Sequence, residues 1–124
     1  MLKDQMFYIL GQQEGQEKIF HIRMNPDNLI YRAHFPGNPI TPGVCIVQVV
    51  TELLETLLEE RLSLCEVKNL KFVDILSPLQ NPEVEACFDL IQPLAKGYKV
   101  KGTLRHGDHI FTKYSLTYER SNNA

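Results

Sequence analysis

His34 opens the stretch HFPGNPITPGVCIVQVVTELLE, residues 34–55, whose first ten residues hold three prolines and two glycines. Proline fixes φ, so an imidazole carried on such a loop is held in place before any ligand arrives. Histidine is also the side chain that ordinarily titrates nearest neutral pH, which suits it to taking a proton. Fourteen residues later stands Gln48, an amide inside the apolar run VCIVQVV. An amide orients a hydroxyl or a water by hydrogen bonds but has no proton to give at neutral pH. Cys45 lies between the two with no basic neighbour to lower its pKa, and reads as packing rather than as a nucleophile. His106, Asp108 and His109 cluster around Gly107, but a set this short and unpartnered reads as a turn, so no metal is expected.

The elements that must carry these groups follow from periodicity. Residues 6–13 and 17–24 are strand-like and flank Glu14-Gly15, a hairpin signal. Residues 25–43 read as a long irregular connection, punctuated by Asn25-Pro26 and the proline–glycine run. One helix is predicted over 43–62, with Thr41 as N-cap and Pro42 at the first helical position. Val44, Cys45, Ile46, Val47, Val49 and Val50 make its first half apolar all round, which predicts that this half, Gln48 included, is buried. The period then changes to two. Strands are predicted over 66–76, over 82–91 with Val84, Ala86, Phe88 and Leu90 on one face, over 98–104 and over 109–119. His106-Gly107-Asp108 turns between the last two. The expected class is α+β: one long central helix wrapped by a curved, mostly antiparallel meander of about six strands. Such a sheet leaves an exposed edge, so dimerisation is expected.

Composition bounds the rest. A chain of 124 residues with 44% hydrophobic and 23% charged residues fits a single domain over residues 1–124. A formal net charge of −2 argues against a nucleic-acid binder. The N-terminal MLKDQMFYILGQQEG turns polar too soon for a signal peptide, and no transmembrane helix is expected. Cysteines 45, 65 and 87 form no CxxC, which points to reduced thiols in the cytoplasm.

The segment HFPGNPITPGV, residues 34–44, resembles the signature of the hot-dog-fold 3-hydroxyacyl-(acyl carrier protein) dehydratases of fatty acid synthesis. His34, Phe35, Pro36, Gly37, Pro39, Pro42, Gly43 and Val44 match that pattern, and Lys71-Phe72 resembles a Lys/Arg-Phe pair later in the family. The resemblance covers nearly the whole chain and implies a hot-dog fold. It implies His34 as the base that takes the C2 proton, with the backbone N–H groups of Gly43 and Val44 receiving the charge that grows on the thioester oxygen. Phe35, Pro36, Gly37 and Glu52 are the implied substrate-binding residues. No cofactor is implied. The implied partners are acyl carrier protein and a second hot-dog subunit, identical or related. Arg23, Arg32, Lys68 and Lys71 are candidates for a basic patch facing the acidic carrier.

Position 48 departs from the family. There a helix carboxylate, fourteen residues after the histidine, acts as the acid that assists the leaving hydroxyl, and it reaches the histidine of the other subunit across the dimer interface. Here the residue is Gln48, and the carboxylate comes one turn later, at Glu52. Several readings follow. Residues 48, 52, 55 and 59 could form a solvated stripe, or Glu52 could replace the acid from roughly 6 Å away. The chain could pair with a related subunit that keeps its acid. It could instead bind acyl thioesters without turnover, or hydrolyse them. The leading expectation is a dehydratase in which Gln48 orients the hydroxyl or the departing water.

Overall fold

A computed structural model describes residues 1–33 and 37–121; His34, Phe35 and Pro36, with residues 122–124, lie outside the described residues. The elements are β1 (Phe7–Glu14), β2 (Lys18–Met24), α1 (Leu29–Ala33), α2 (Gly43–Leu58), β3 (Leu62–Phe72), β4 (Glu83–Pro93), β5 (Gly97–His106) and β6 (His109–Arg120). The strands form one sheet in the order β1-β2-β4-β5-β6-β3. Every pairing in it is antiparallel. This is the α+β hot-dog arrangement, with α2 as the helix that the sheet wraps.

The pattern of buried side chains explains why α2 lies there. Cys45, Ile46, Val49, Val50, Leu53 and Leu54 recur at helical spacing and are buried. They share one core with Phe20 and Ile22 of β2, Val84, Ala86 and Phe88 of β4, Val100 and Leu104 of β5, and Leu116 and Tyr118 of β6. Each fully buried Leu or Phe contributes about 1.5–3 kcal/mol. The hydroxyls of Thr51 and Tyr118 meet at 2.8 Å, so these two buried groups satisfy each other. Burial pushes the Tyr118 phenol up to about 12.

Several boundaries differ from the sequence reading, each for a local reason. The helix ends at Leu58, not 62: Glu59 takes the left-handed conformation at φ 55° and ψ 41°. The Glu55 carboxylate then accepts the Leu62 N–H at 2.9 Å and fixes where β3 starts. Thr41 is not the cap; Pro42 holds that position without a side-chain capping bond. The Thr41 hydroxyl is committed elsewhere, to the Tyr31 hydroxyl at 2.8 Å. Within the supposed irregular connection, Asn28 caps α1 by accepting the Ile30 N–H. β3 runs over 62–72 rather than 66–76 because the N–H groups of Val73 and Asp74 both turn to the Phe111 carbonyl. Only β4, β5 and β6 form a meander, since β3 lies at the far edge beside β6. A bulge between Phe88 and Leu90 shifts the phase of β4, so Leu90 is exposed instead of joining Val84, Ala86 and Phe88.

Gly102 is placed where no side chain fits. Tyr114 reaches over it from β6 and donates its hydroxyl to the Cys87 carbonyl on β4 at 2.5 Å. A Cβ at Gly102 would overlap that carbonyl and lie 2.6 Å from the Tyr114 oxygen. Gly102→Ala is therefore expected to lower stability by about 3 kcal/mol, read as the urea midpoint at unchanged slope.

The three cysteines are free, with Cys45 and Cys87 buried and Cys65 exposed. Burial raises the Cys45 thiol and pushes the Cys87 thiol up to about 11. Titration of the native protein with a chromogenic disulfide at pH 8 is expected to show one fast thiol per chain, abolished by Cys65→Ser.

Candidate active site

The start of α2 opens onto a cavity. Cys45 and Ile46 donate the first helical bonds to the Pro42 carbonyl, at 3.0 and 3.1 Å. The N–H groups of Gly43 and Val44 thus have no acceptor inside the helix. Beside them lies a cavity of about 340 Å³ walled by Ile40, Gly43, Ile46, Phe72, Ile75 and Leu76. Gly43 admits the Phe72 ring, because a Cβ there would stand 2.6 Å from its Cζ atom. The matched pair Lys71-Phe72 therefore has a packing consequence: its aromatic member roofs the helix start. Val44 is 78% exposed, contrary to the expectation that the first half of the helix is buried all round.

One carboxylate lies in the cavity wall, and the sequence reading missed it. Asp74 Oδ2 lies 2.7 Å from His109 Nε2. The His109 ring stacks on Phe111 with centroids 4.3 Å apart. The hydrogen bond from His109, followed by that from the Ile75 N–H, holds the Asp74 carboxyl below its usual range. His106 turns away to the Glu83 carbonyl. The histidines flanking the β5–β6 turn thus serve different neighbours, and no sequence spacing announces the pairing of residues 74 and 109.

Gln48 is exposed on α2, whereas Glu52, one turn later, is only 1% exposed. The uniform apolar surroundings predicted for Gln48 are absent because Val44 and Gln48 lie on the helix face that the sheet does not cover. The Glu52 carboxylate is fully engaged. Its oxygens accept the Leu2 N–H at 2.9 and 3.0 Å, the Lys3 N–H at 2.9 Å and the Gln48 amide N–H at 2.8 Å. Those four bonds commit the Glu52 carboxylate to groups of its own chain. Its backbone partners lie about fifty residues away, which no local pattern reveals.

The other predicted residues scatter. Gly37 takes φ 85°, a conformation that favours glycine. It lines a second cavity of about 330 Å³ with Tyr31, Arg32, Pro39 and Leu79. His34, Phe35 and Pro36 fall outside the described residues. Gly43, Val44 and Gln48 share the first half of α2, but Gln48 does not line the cavity beside Gly43. The four basic candidates do not form one patch: Arg23 is on β2 and Lys68 and Lys71 are on β3, with three strands between. Lys68 is paired with Glu66 at 3.2 Å.

Residues 11–102 match the model of the ApeI-like family, described as ApeI dehydratase. The chain belongs to the ApeI-like dehydratase family. Its fold is shared with solved structures of low identity. The dehydratase heterocomplex ApeI:P from Xenorhabdus doucetiae is 20% identical over 91% of this chain and 97% of that one, with a TM-score of 0.65. The conserved protein PA5202 from Pseudomonas aeruginosa is 11% identical over 89% and 86%, with a TM-score of 0.62. An uncharacterized protein from Erwinia carotovora subsp. atroseptica is 18% identical over 93% and 91%, with a TM-score of 0.53. Among curated proteins none matches. Membership in the ApeI-like dehydratases makes lyase chemistry the frame in which the helix start and its cavity are interpreted.

Proposed function

We propose that this protein dehydrates 3-hydroxyacyl thioesters carried on acyl carrier protein, giving trans-2-enoyl thioesters. The observation that carries the proposal is the start of α2. There, the N–H groups of Gly43 and Val44 have no helical acceptor, Gly43 lines a cavity with Ile40, Ile46 and Ile75, and the sequence segment just before it opens with His34. In this reading His34 takes the C2 proton while the C3–O bond breaks. The N–H groups of Gly43 and Val44 hold the thioester oxygen as it gains charge, with the helix dipole behind them. The acyl chain lies against Ile40, Ile46 and Ile75. Gln48 orients the 3-hydroxyl, and the proton that makes hydroxide into water comes from another group.

A second hot-dog subunit completes the site. Among the described residues β3 pairs only with β6 and its other edge has no strand beside it, and Val67, Phe72 and Ile75 are exposed on or next to it. The uncovered face of α2 carries Val44 and Gln48. A related partner bearing a carboxylate where this chain has Gln48 is favoured by one specific observation: an amide has no proton to donate. The ApeI:P neighbour is itself a heterocomplex.

Turnover of a 3-hydroxyacyl carrier-protein substrate is measured with the pure protein and with an acid-bearing hot-dog subunit added. Enoyl product from the pure protein supports a homodimer, and product only from the mixture supports the paired subunit. Free thiol in place of enoyl product would replace the dehydratase reading with a thioesterase.

A further inference from the structure

We infer that Glu52 is a positioning residue that locks the Gln48 side chain with its carbonyl oxygen toward the substrate, so that position 48 distinguishes a 3-hydroxyl from a 3-oxo group. The inference rests on the dehydratase reading for its ligand, but its geometry stands apart from that reading.

The argument is one of hydrogen-bond supply. Both Glu52 oxygens already accept backbone N–H groups, two contacts from Leu2 and one from Lys3. A carboxylate has acceptors only. The contact between Gln48 and Glu52 at 2.8 Å therefore has to be donated by the Gln48 amide nitrogen. The oxygen and nitrogen of an amide flank the same carbon, so turning the nitrogen toward Glu52 turns the oxygen away from it. Glu52 is 1% exposed and tied to the chain start, which makes it a fixed support rather than a second mobile side chain.

The consequence is selectivity. A carbonyl oxygen at position 48 accepts the O–H of a 3-hydroxyacyl group. Facing a 3-oxoacyl group, it sets two acceptors against each other. A site that bonds a substrate hydroxyl rejects the analogue lacking that donor. One exposed hydrogen bond and its loss correspond to roughly tenfold in affinity.

The test uses the full chain and two stable pantetheine amides, one carrying a 3-hydroxyacyl group and one a 3-oxoacyl group. Wild type is expected to bind the hydroxy compound about tenfold more tightly. Glu52→Gln keeps the shape of the side chain. Its single oxygen serves Leu2 and Lys3, and its own amide nitrogen faces Gln48, which has to turn over. The preference should then fall to about one, with the melting temperature recorded to confirm folding. An unchanged preference overturns the inference, and so does equal weakening of both compounds, which marks Glu52 as structural only. In parallel, the Gln48 side-chain amide signal in 15N spectra of the free protein should be shifted and protected from exchange. An unprotected signal beside intact turnover defeats the lock alone. A protected signal with neither compound bound defeats the ligand assignment together with the dehydratase reading.

Discussion

Gln48→Glu is expected to raise the dehydration rate of the isolated protein by about 10²–10⁴, the usual worth of a positioned general acid. The reason lies in what the new carboxyl would meet. Glu52 would stand within hydrogen-bond reach of it, since the native Gln48 nitrogen is 2.8 Å from a Glu52 oxygen. Two carboxyls that close do not both ionise readily, so the pair keeps one proton. The Leu2 and Lys3 N–H groups need Glu52 lone pairs. The shared proton therefore belongs on the introduced carboxyl, which enters neutral solution as an acid able to protonate the leaving hydroxyl. The rate should fall at high pH as that proton is lost, a limb that position 48 cannot give in wild type. If the rate stays flat while the protein melts normally, position 48 does not face the leaving group.

The arrangement that makes this expectation possible was only partly legible in the sequence. Strands β5 and β6 could be read because apolar residues alternate cleanly between turn residues; Tyr98, Val100 and Leu104 are buried as alternation requires. β3 could not be bounded the same way. Its side chains face solvent along most of its length, so no buried face imposes a period, and its end is set by the Phe111 carbonyl on another strand. α1 was hidden by its five-residue length, although Asn28 ahead of LIYRA was a usable cap signal. At the site, the proline–glycine motif located the helix start to within one residue, with the cap at Pro42 in place of Thr41. The state of Gln48 was misjudged because hydrophobic neighbours in sequence do not say which helix face a sheet covers. Nor could the chain start be foreseen as the support of Glu52, since that contact joins residues 2 and 3 to residue 52 through backbone atoms.

His34→Ala is expected to lower turnover by about 10²–10⁴ while leaving thioester binding nearly unchanged. The imidazole takes a proton from carbon in the proposed step, an interaction made in the transition state and not in the bound ground state. Losing it should reduce kcat and kcat/KM together. The wild-type rate should rise with pH as His34 loses its proton, because only the neutral imidazole accepts one. Gln48 does not titrate, so no second limb should come from position 48. The same substitution is expected to silence either assembly. In a homodimer, His34→Ala removes the base from both sites, and no added subunit carrying only an acid repairs it. In a mixed pair with an acid-bearing subunit, His34 and that subunit's carboxylate make up one site. His34→Ala then silences that site even though every acid is present. Full activity from His34→Ala in both assays would move the base elsewhere. The Asp74–His109 pair in the cavity wall, at 2.7 Å, would be the next place to look.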